Sequence, residues 1–358
     1  EGTVVPINNV LMTIENTDNN CFWLTNFLET ILSQVWYPIT VASLSREVKV
    51  TLNEYFTLTS DGGLLNFGLH DFGFRGASSW ESAGIGGAAH LINFLGTDTV
   101  VAMEVAVNYY NANLDNLAFS VAATEHSVMT ALGKNGEEQV VENLLNEYPT
   151  GILSVVSDSY DIYNFVSNIV GTKFKDRILA RDGVFVVRPD SITPTHPTPE
   201  EEMVWIMENL WANMGGTINS KGYKVINPKV RVLWGDGIDI EGIKKILYFI
   251  TKAGFATENM ACFGMGGGLL QKVNRDTQRC AFKCSAQYRD GQWYDIQKNP
   301  KDVSKASKKG KLKLIKVDGE FETVGENDPG EDYLKLVFTN GVLVKEIDFD
   351  TVRKNAAL

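Results

Sequence analysis

The residues best able to do chemistry stand in seven short polar segments, each at the downstream end of an apolar run. They read His70-Asp71-Phe72-Gly73-Phe74-Arg75, Gly96-Thr97-Asp98, Thr124-Glu125-His126, Ser157-Asp158-Ser159-Tyr160, Arg188-Pro189-Asp190, Gly235-Asp236-Gly237 and Gly264-Met265-Gly266-Gly267-Gly268. Carboxylates accept from sugar hydroxyls, arginines take phosphate oxygens in pairs, and clustered glycine lets a backbone approach a ligand closely. The set suits a phosphorylated sugar, with Asp190 and Asp236 as diol ligands. The glycine run leads into a helix-like segment ending near Arg275, whose first amides suit a phosphate, and Arg275 and Lys283 supply full positive charges. Phe72 offers a face to a flat heterocycle and Asp98 an acceptor for an amide on it, with Arg75 two residues beyond Gly73. Each signal has an ordinary alternative: glycine runs make tight turns, Asp before a helix caps it, aromatic rings at strand ends are core, and a buried His is often structural. His126 is open between a base or nucleophile and such a structural His.

What must position these groups is a repeating unit. Apolar runs cover residues 64–69, 92–95, 117–121, 152–156, 184–187, 230–234 and 260–263, separated by amphipathic stretches, which is β/α repetition. In a (β/α) barrel all strand ends open on one face, and late strands commonly carry the phosphate site. No GxGxxG follows the first strand, which lowers the case for a dinucleotide-binding sheet. The expected fold is therefore α/β: a (β/α) barrel-like catalytic domain over residues 63–284 and a smaller flanking α+β domain built from both chain ends. Residues 1–62 supply its helices, expected at 21–36 and 41–58 with Pro38 between them. Residues 285–358 supply its β-rich part, where Asn340-Gly341 signals a hairpin. The Lys-rich run 298–313 reads as a solvated face.

The bulk numbers fit this reading. With 358 residues, 44% hydrophobic and 22% charged, the chain can bury a sizeable core. Its net charge of -11 argues against nucleic acid as a partner and places the cations of an anion site in a pocket. Cys21, Cys262, Cys280 and Cys284 form no CxxC pair, as expected of reduced thiols in the cytoplasm, and the four histidines form no HExxH, so no structural zinc is expected. No apolar run has the length of a membrane span, so no membrane partner is expected. The start Glu1-Gly2-Thr3 reads as a chain whose natural beginning is missing.

The segments, taken in order, resemble the nicotinamide phosphoribosyltransferases of the type II phosphoribosyltransferase family. The resemblance is carried by residues 70–75 with Ser78, Glu81 and Gly84, by Gly96-Thr97-Asp98-Thr99, Glu125-His126-Ser127, Ser157-Asp158-Ser159-Tyr160-Asp161, Arg188-Pro189-Asp190-Ser191, Gly235-Asp236-Gly237 and residues 266–272, and it extends over almost the whole chain. It implies transfer of phosphoribosyl from phosphoribosyl pyrophosphate to nicotinamide, giving nicotinamide mononucleotide and pyrophosphate in NAD salvage. It further implies Mg²⁺ with the pyrophosphate, no directly assigned metal ligand, ATP as phosphoryl donor to His126, and a homodimer with sites at its interface. By the same resemblance Phe72 stacks on nicotinamide, Asp98 and Arg188 orient its amide, and Asp190 and Asp236 hold the ribose. Asp158 is a further catalytic carboxylate, Arg75 faces pyrophosphate, and Gly235, Gly266 and Gly267 with Arg275 and Lys283 take phosphate, the last two in their own or the partner's pocket.

Four positions depart from the family pattern: Phe74 replaces Tyr, Ile192 replaces Gly, Met265 replaces Ser and Ala281 replaces a phosphate-binding Ser. The family's N-terminal segment, with a Tyr that sandwiches nicotinamide across the dimer, is not in the sequence. The rival readings are a nicotinate phosphoribosyltransferase and a ligand-binding relative without turnover. Asp98 weighs against the first, because it repels a nicotinate carboxylate, and the set Asp158, Arg188, Asp190 and His126 weighs against the second.

Overall fold

The computed structural model describes residues 1–298 and 306–358, so the stretch 299–305 of the Lys-rich run lies outside the described residues. The chain divides into two compact units, residues 41–273 with Leu358, and residues 1–40 with 274–357.

The first unit is organised by a seven-stranded sheet. In chain order its strands are β1 (Leu69–Asp71), β2 (Gly96–Thr97), β3 (Ala122–Ala123), β4 (Thr150–Val156), β5 (Asp182–Arg188), β8 (Val230–Trp234) and β9 (Met260–Met265). A short antiparallel hairpin, β6 (Gly216–Ile218) and β7 (Lys224–Ile226), precedes β8. The sheet order is β2-β1-β9-β8-β5-β4-β3, and every pairing within it is parallel. Parallel neighbours need crossover connections, and helices supply them: Trp80–His90, Val101–Tyr110, Glu137–Glu147, Pro199–Met214 and Ile240–Lys252. A parallel bridge joins Gly96 of edge strand β2 to Phe119, in the segment just before the other edge strand β3, with Thr97 N–H donating to the Phe119 carbonyl at 3.1 Å and Phe119 N–H to that of Leu95 at 2.8 Å. This curls the sheet into the expected barrel-like form.

The long strands fall where apolar runs predict them, because residues such as Val155, Val187, Val232 and Phe263 lose almost all solvent contact. Val186, Leu233 and Cys262 form one buried cluster against which Phe72, Val184 and Ala261 pack. Burial drives the Cys262 thiol up to about 12, so it stays protonated and inert. The short strands depart from expectation. Residues 64–69 contain a 3-10 turn, Leu65–Phe67, and β1, β2 and β3 each begin at or beyond the end of the predicted run. Leu91 and Phe94 are fully buried without being strand, so their hydrophobicity reports the core and not the ladder.

The second unit contains the helix Leu24–Ser33, the antiparallel hairpins Ala286–Arg289 with Gln292–Asp295 and Leu312–Val317 with Glu320–Gly325, and a helix at Phe349–Ala356. Phe338–Thr339 and Val342–Leu343 form the hairpin signalled by Asn340-Gly341, whose φ values of 49° and 86° fit the two left-handed positions of its turn. Pro38 does not separate two helices. It sits in the first turn of Trp36–Thr59, where a missing N–H costs nothing.

Candidate active site

The polar segments sit at strand ends because parallel pairing puts them there together. His70 pairs in register with Gly96 and Gly264, and Asp71 with Thr97 and Met265. Phe72, next along the chain, holds its backbone to β9 by donating N–H to the Met265 carbonyl at 3.0 Å. Its ring lies between two glycines: a Cβ on Gly264 would come within 2.0 Å of the ring and one on Gly235 within 3.0 Å. Glycine at these positions is therefore space for an aromatic side chain. The Arg188 guanidinium stacks over the Phe72 ring with 4.8 Å to its centroid, and the His70 ring packs 5.2 Å away. Arg188 also reaches Asp190 at 3.5 Å, and its buried Nε has no hydrogen-bond partner among the described residues.

Asp98 stands beside this stack. One of its oxygens is 2.9 Å from His70 Nε2 and accepts from the Ser120 hydroxyl at 2.6 Å. Burial would raise its carboxyl, but the His70 contact, the Ser120 hydroxyl and the Arg188 charge outweigh that and hold it below the usual carboxylate range. It remains an anion, with its other oxygen left for a donor.

Opposite stands a group of carboxylates around His126, the first residue of a single helical turn, His126–Met129. His126 Nε2 lies 3.2 Å from Asp158 and Nδ1 3.9 Å from Asp190. Asp158 accepts the Ser191 hydroxyl with its second oxygen. Asp236 follows β8, and burial together with the charges of Asp190 and Asp158 raises its carboxyl. One imidazole thus meets acids from two strand ends, Asp158 and Asp190, and Asp236 lies near enough to feel the charge of both.

The glycine run does two jobs. Gly264 and Met265 belong to β9, and the helix that follows is one turn, Gly267–Leu270; the helix-like segment expected to reach Arg275 ends at Leu270. A Cβ on Gly268 would meet the Ile238 carbonyl at 2.8 Å, whereas one on Gly267 would meet nothing within 4 Å. Open space at Gly267 leaves its backbone accessible. Gly266 lies against the Phe72 carbonyl, and the exposed turn Phe74–Gly76, which carries Arg75, lies beside Gly267. Arg275 and Lys283 are exposed and belong to the second unit.

Several residues at the site had no role in the sequence reading: His70, Ser120, Ser191 and Asp71. Asp71 is completely buried and accepts from the Gly73 N–H at 2.7 Å, while its carbonyl takes the Asp98 N–H at 3.0 Å. It joins the turn carrying Phe72 to the one carrying Asp98. Burial, only partly offset by Gly73, Thr99 and His70, pushes its carboxyl up to about 6. Between the ordinary value of 3.8 and about 6 the folded chain holds a proton that the unfolded chain has released, so this group makes stability fall as pH rises through that window. Asp71→Asn keeps an acceptor for Gly73 and removes the buried charge. The variant is expected to be more stable than wild type at pH 8 by about 1–3 kcal/mol, with the advantage vanishing near pH 4. Denaturant unfolding of both proteins across that range checks it, and an advantage independent of pH would refute it.

Comparisons with known proteins point to one family. The model of the "Nicotinate phosphoribosyltransferase (NAPRTase) family" matches residues 67–342. A protein named nicotinamide phosphoribosyltransferase from Xanthomonas campestris pv. campestris is 44% identical over 99% of this chain and 77% of its own. One of the same name from Mycoplasma genitalium is 35% identical over 86% of this chain and 68% of its own. Among solved structures, nicotinate-nucleotide pyrophosphorylase from Pyrococcus furiosus superposes with a TM-score of 0.55 at 16% identity, covering 89% of this chain and 69% of that one, which shows a shared fold. The family match takes in all seven strand ends of the sheet and the residues grouped at them, from Phe72 to Gly267, together with most of the C-terminal hairpins. On that extent of agreement, the chain belongs to the nicotinate phosphoribosyltransferase (NAPRTase) family.

Proposed function

We propose that the chain is a nicotinamide phosphoribosyltransferase, joining nicotinamide to the phosphoribosyl group of phosphoribosyl pyrophosphate with release of pyrophosphate, a step of NAD salvage. The observation that carries this reading is the guanidinium of Arg188 over the Phe72 ring, 3.5 Å from Asp190 and close enough to Asp98 to help hold that carboxyl ionised. A ring face that takes a flat cation suits a pyridine ring that becomes a pyridinium as its nitrogen bonds to the sugar. Asp98, held ionised, accepts from a carboxamide and repels a carboxylate. Relatives named nicotinamide phosphoribosyltransferase support the same choice of base.

Bond breaking at the ribose carbon develops positive charge on the sugar and negative charge on the leaving pyrophosphate. Asp190 and Asp236 hold the ribose hydroxyls and, with Asp158, face the developing cation. Arg75 and the backbone of Gly235, Gly266 and Gly267 receive phosphate oxygens. No group of three acids, histidines or cysteines among the described residues is arranged to hold a metal by itself. Mg²⁺ would therefore be held chiefly by the oxygens of the substrate pyrophosphate. Bound there, Mg²⁺ would supply charge neutralisation of pyrophosphate. We further assign His126 as the acceptor of phosphoryl from ATP, its imidazole held by Asp158, and the enzyme as a homodimer of the cytoplasm, in keeping with four free cysteines.

Synthesis of nicotinamide mononucleotide from the two substrates tests the reading directly. Turnover is expected with nicotinamide, with kcat/KM for nicotinate at least about 100-fold lower, as a like-charge contact of several kcal/mol dictates. The same assay with ATP should be stimulated in wild type and not in His126→Ala. A preference for nicotinate would overturn the base assignment, and absence of product with either base would leave a binding protein.

A further inference from the structure

The segment 189–198 brings Asp190 and Ser191 into the site and then runs to the helix Pro199–Met214 without a strand or helix of its own. Side chains hold it instead. The Thr193 hydroxyl donates to Glu202 Oε2 at 2.8 Å, accepts the His196 backbone N–H at 3.1 Å and meets the Tyr163 hydroxyl. A hydroxyl has one proton and two lone pairs. With its proton on Glu202, Thr193 must accept from Tyr163. Tyr163 has then given its own proton away, so the His196 Nδ1 that lies 3.0 Å from its oxygen must carry the hydrogen between them. The result is a one-way chain: His196 donates to Tyr163, Tyr163 to Thr193, and Thr193 to Glu202.

The members come from three places. Tyr163 begins the helix that follows the Asp158 loop, capped by Asp161, which accepts from the N–H groups of Tyr163 and Asn164. Thr193 and His196 lie on the segment itself, and Glu202 is in the first turn of Pro199–Met214. Glu202 has no exposed surface, and its Oε1 has no hydrogen-bond partner among the described residues. Trp205 packs on both rings, 4.5 Å from Tyr163 and 5.8 Å from His196. A buried carboxylate with one oxygen unpaired is costly, and among the described residues the hydroxyl it engages belongs to the segment that carries Asp190. Besides the contacts of Thr193 and His196 with Tyr163, the Ser191 hydroxyl ties this segment to Asp158.

We propose that Thr193, Tyr163 and Glu202 form a positioning latch that ties segment 189–198 to the Asp158 loop, setting Asp190 and Ser191 against Asp158 and His126. None of the three touches substrate; they act through Asp190 and Ser191. The inference rests on the phosphoribosyl-transfer reading above, in which Asp190 holds the ribose.

Thr193→Val removes the hydroxyl at constant shape, Tyr163→Phe removes the neighbouring link, and Thr193→Ser restores the hydroxyl. Both deletions are expected to raise KM for phosphoribosyl pyrophosphate by about tenfold while KM for nicotinamide stays within about twofold, and Thr193→Ser is expected to return within about threefold of wild type. The latch is overturned if both deletion variants keep the wild-type KM for phosphoribosyl pyrophosphate, if both KM values rise together, or if the serine variant is no better than the valine. Tyr163→Phe carries the test should Thr193→Val fail to fold. If wild type makes no nicotinamide mononucleotide, the functional reading fails and hydrogen exchange decides the latch. Amides of 189–198 should then exchange at least about tenfold faster in Tyr163→Phe than in wild type, and equal rates would overturn it.

Discussion

Arg188→Ala is expected to lower kcat/KM for nicotinamide by about 100- to 1,000-fold, the range seen when a preorganised charged or hydrogen-bonding group is removed from a site of developing charge. Three observations set that magnitude. The guanidinium covers the Phe72 ring at 4.8 Å, reaches Asp190 at 3.5 Å, and keeps Nε buried with no hydrogen-bond partner among the described residues. That last donor is available to a ligand, and a nicotinamide carbonyl is the acceptor it suits. Arg188 is also one of the groups holding Asp98 below the usual carboxylate range. Without it Asp98 loses one of the charges that hold its carboxyl down, and that carboxyl should rise. The pH profile of kcat/KM should therefore shift its acidic limb upward in the variant, a change that a loss of folding alone does not produce. Arg188→Lys keeps the charge but neither the flat face nor the fork, so it should recover only part of the loss. Steady-state kinetics with both substrates checks this, and an alanine variant within threefold of wild type would remove Arg188 from the site.

Much of this arrangement is legible in the sequence because strand ends and chemistry coincide. The runs 152–156, 184–187, 230–234 and 260–263 become β4, β5, β8 and β9, and the polar residues that follow them converge as their parallel pairing requires. The early strands are less readable for a physical reason. In β1 and β2 the ladder is made by His70-Asp71 and Gly96-Thr97 themselves, so hydrogen bonding falls on polar residues while the apolar residues before them serve the core from turns. Partnerships across strands were also out of reach. His70 meets Asp98 because β1 and β2 pair with His70 opposite Gly96, where a Cβ would come within 2.7 Å of the imidazole. No spacing within one chain segment encodes that register. Likewise Ser120 and Ser191, ordinary loop serines in the sequence, become partners of Asp98 and Asp158 only through the curl of the sheet. Asp71 reads as one more polar residue in a segment of six, and its burial is what makes it a joint between two turns.

The glycine run now separates into positions with different work, and substitution can tell them apart. Gly264→Ala places a methyl 2.0 Å from Phe72 Cε2 and 2.4 Å from Cδ2. The ring has nowhere to retreat within its slot: Gly235 borders it on one side, Arg188 covers its face and His70 packs nearby. Phe72 must therefore leave. Overpacking of this kind costs about 1–3 kcal/mol, which lowers Tm by about 2–4 °C for each kcal/mol in a unit of this size. Displacing the ring also removes the surface that Arg188 covers and on which nicotinamide is proposed to stack, so KM for nicotinamide should rise at least about tenfold. Adding Phe72→Ala to Gly264→Ala should restore Tm relative to the single variant and leave turnover lost, a coupling expected only if the methyl and the ring compete for one space. Gly267→Ala is the contrast. Its Cβ meets nothing within 4 Å, so Tm should stay at the wild-type value, and any rise in KM for phosphoribosyl pyrophosphate must come from a ligand that approaches that backbone. Wild-type Tm and KM in Gly264→Ala would mean that Phe72 does not occupy the slot, and the stack on which the base site is built would go with it.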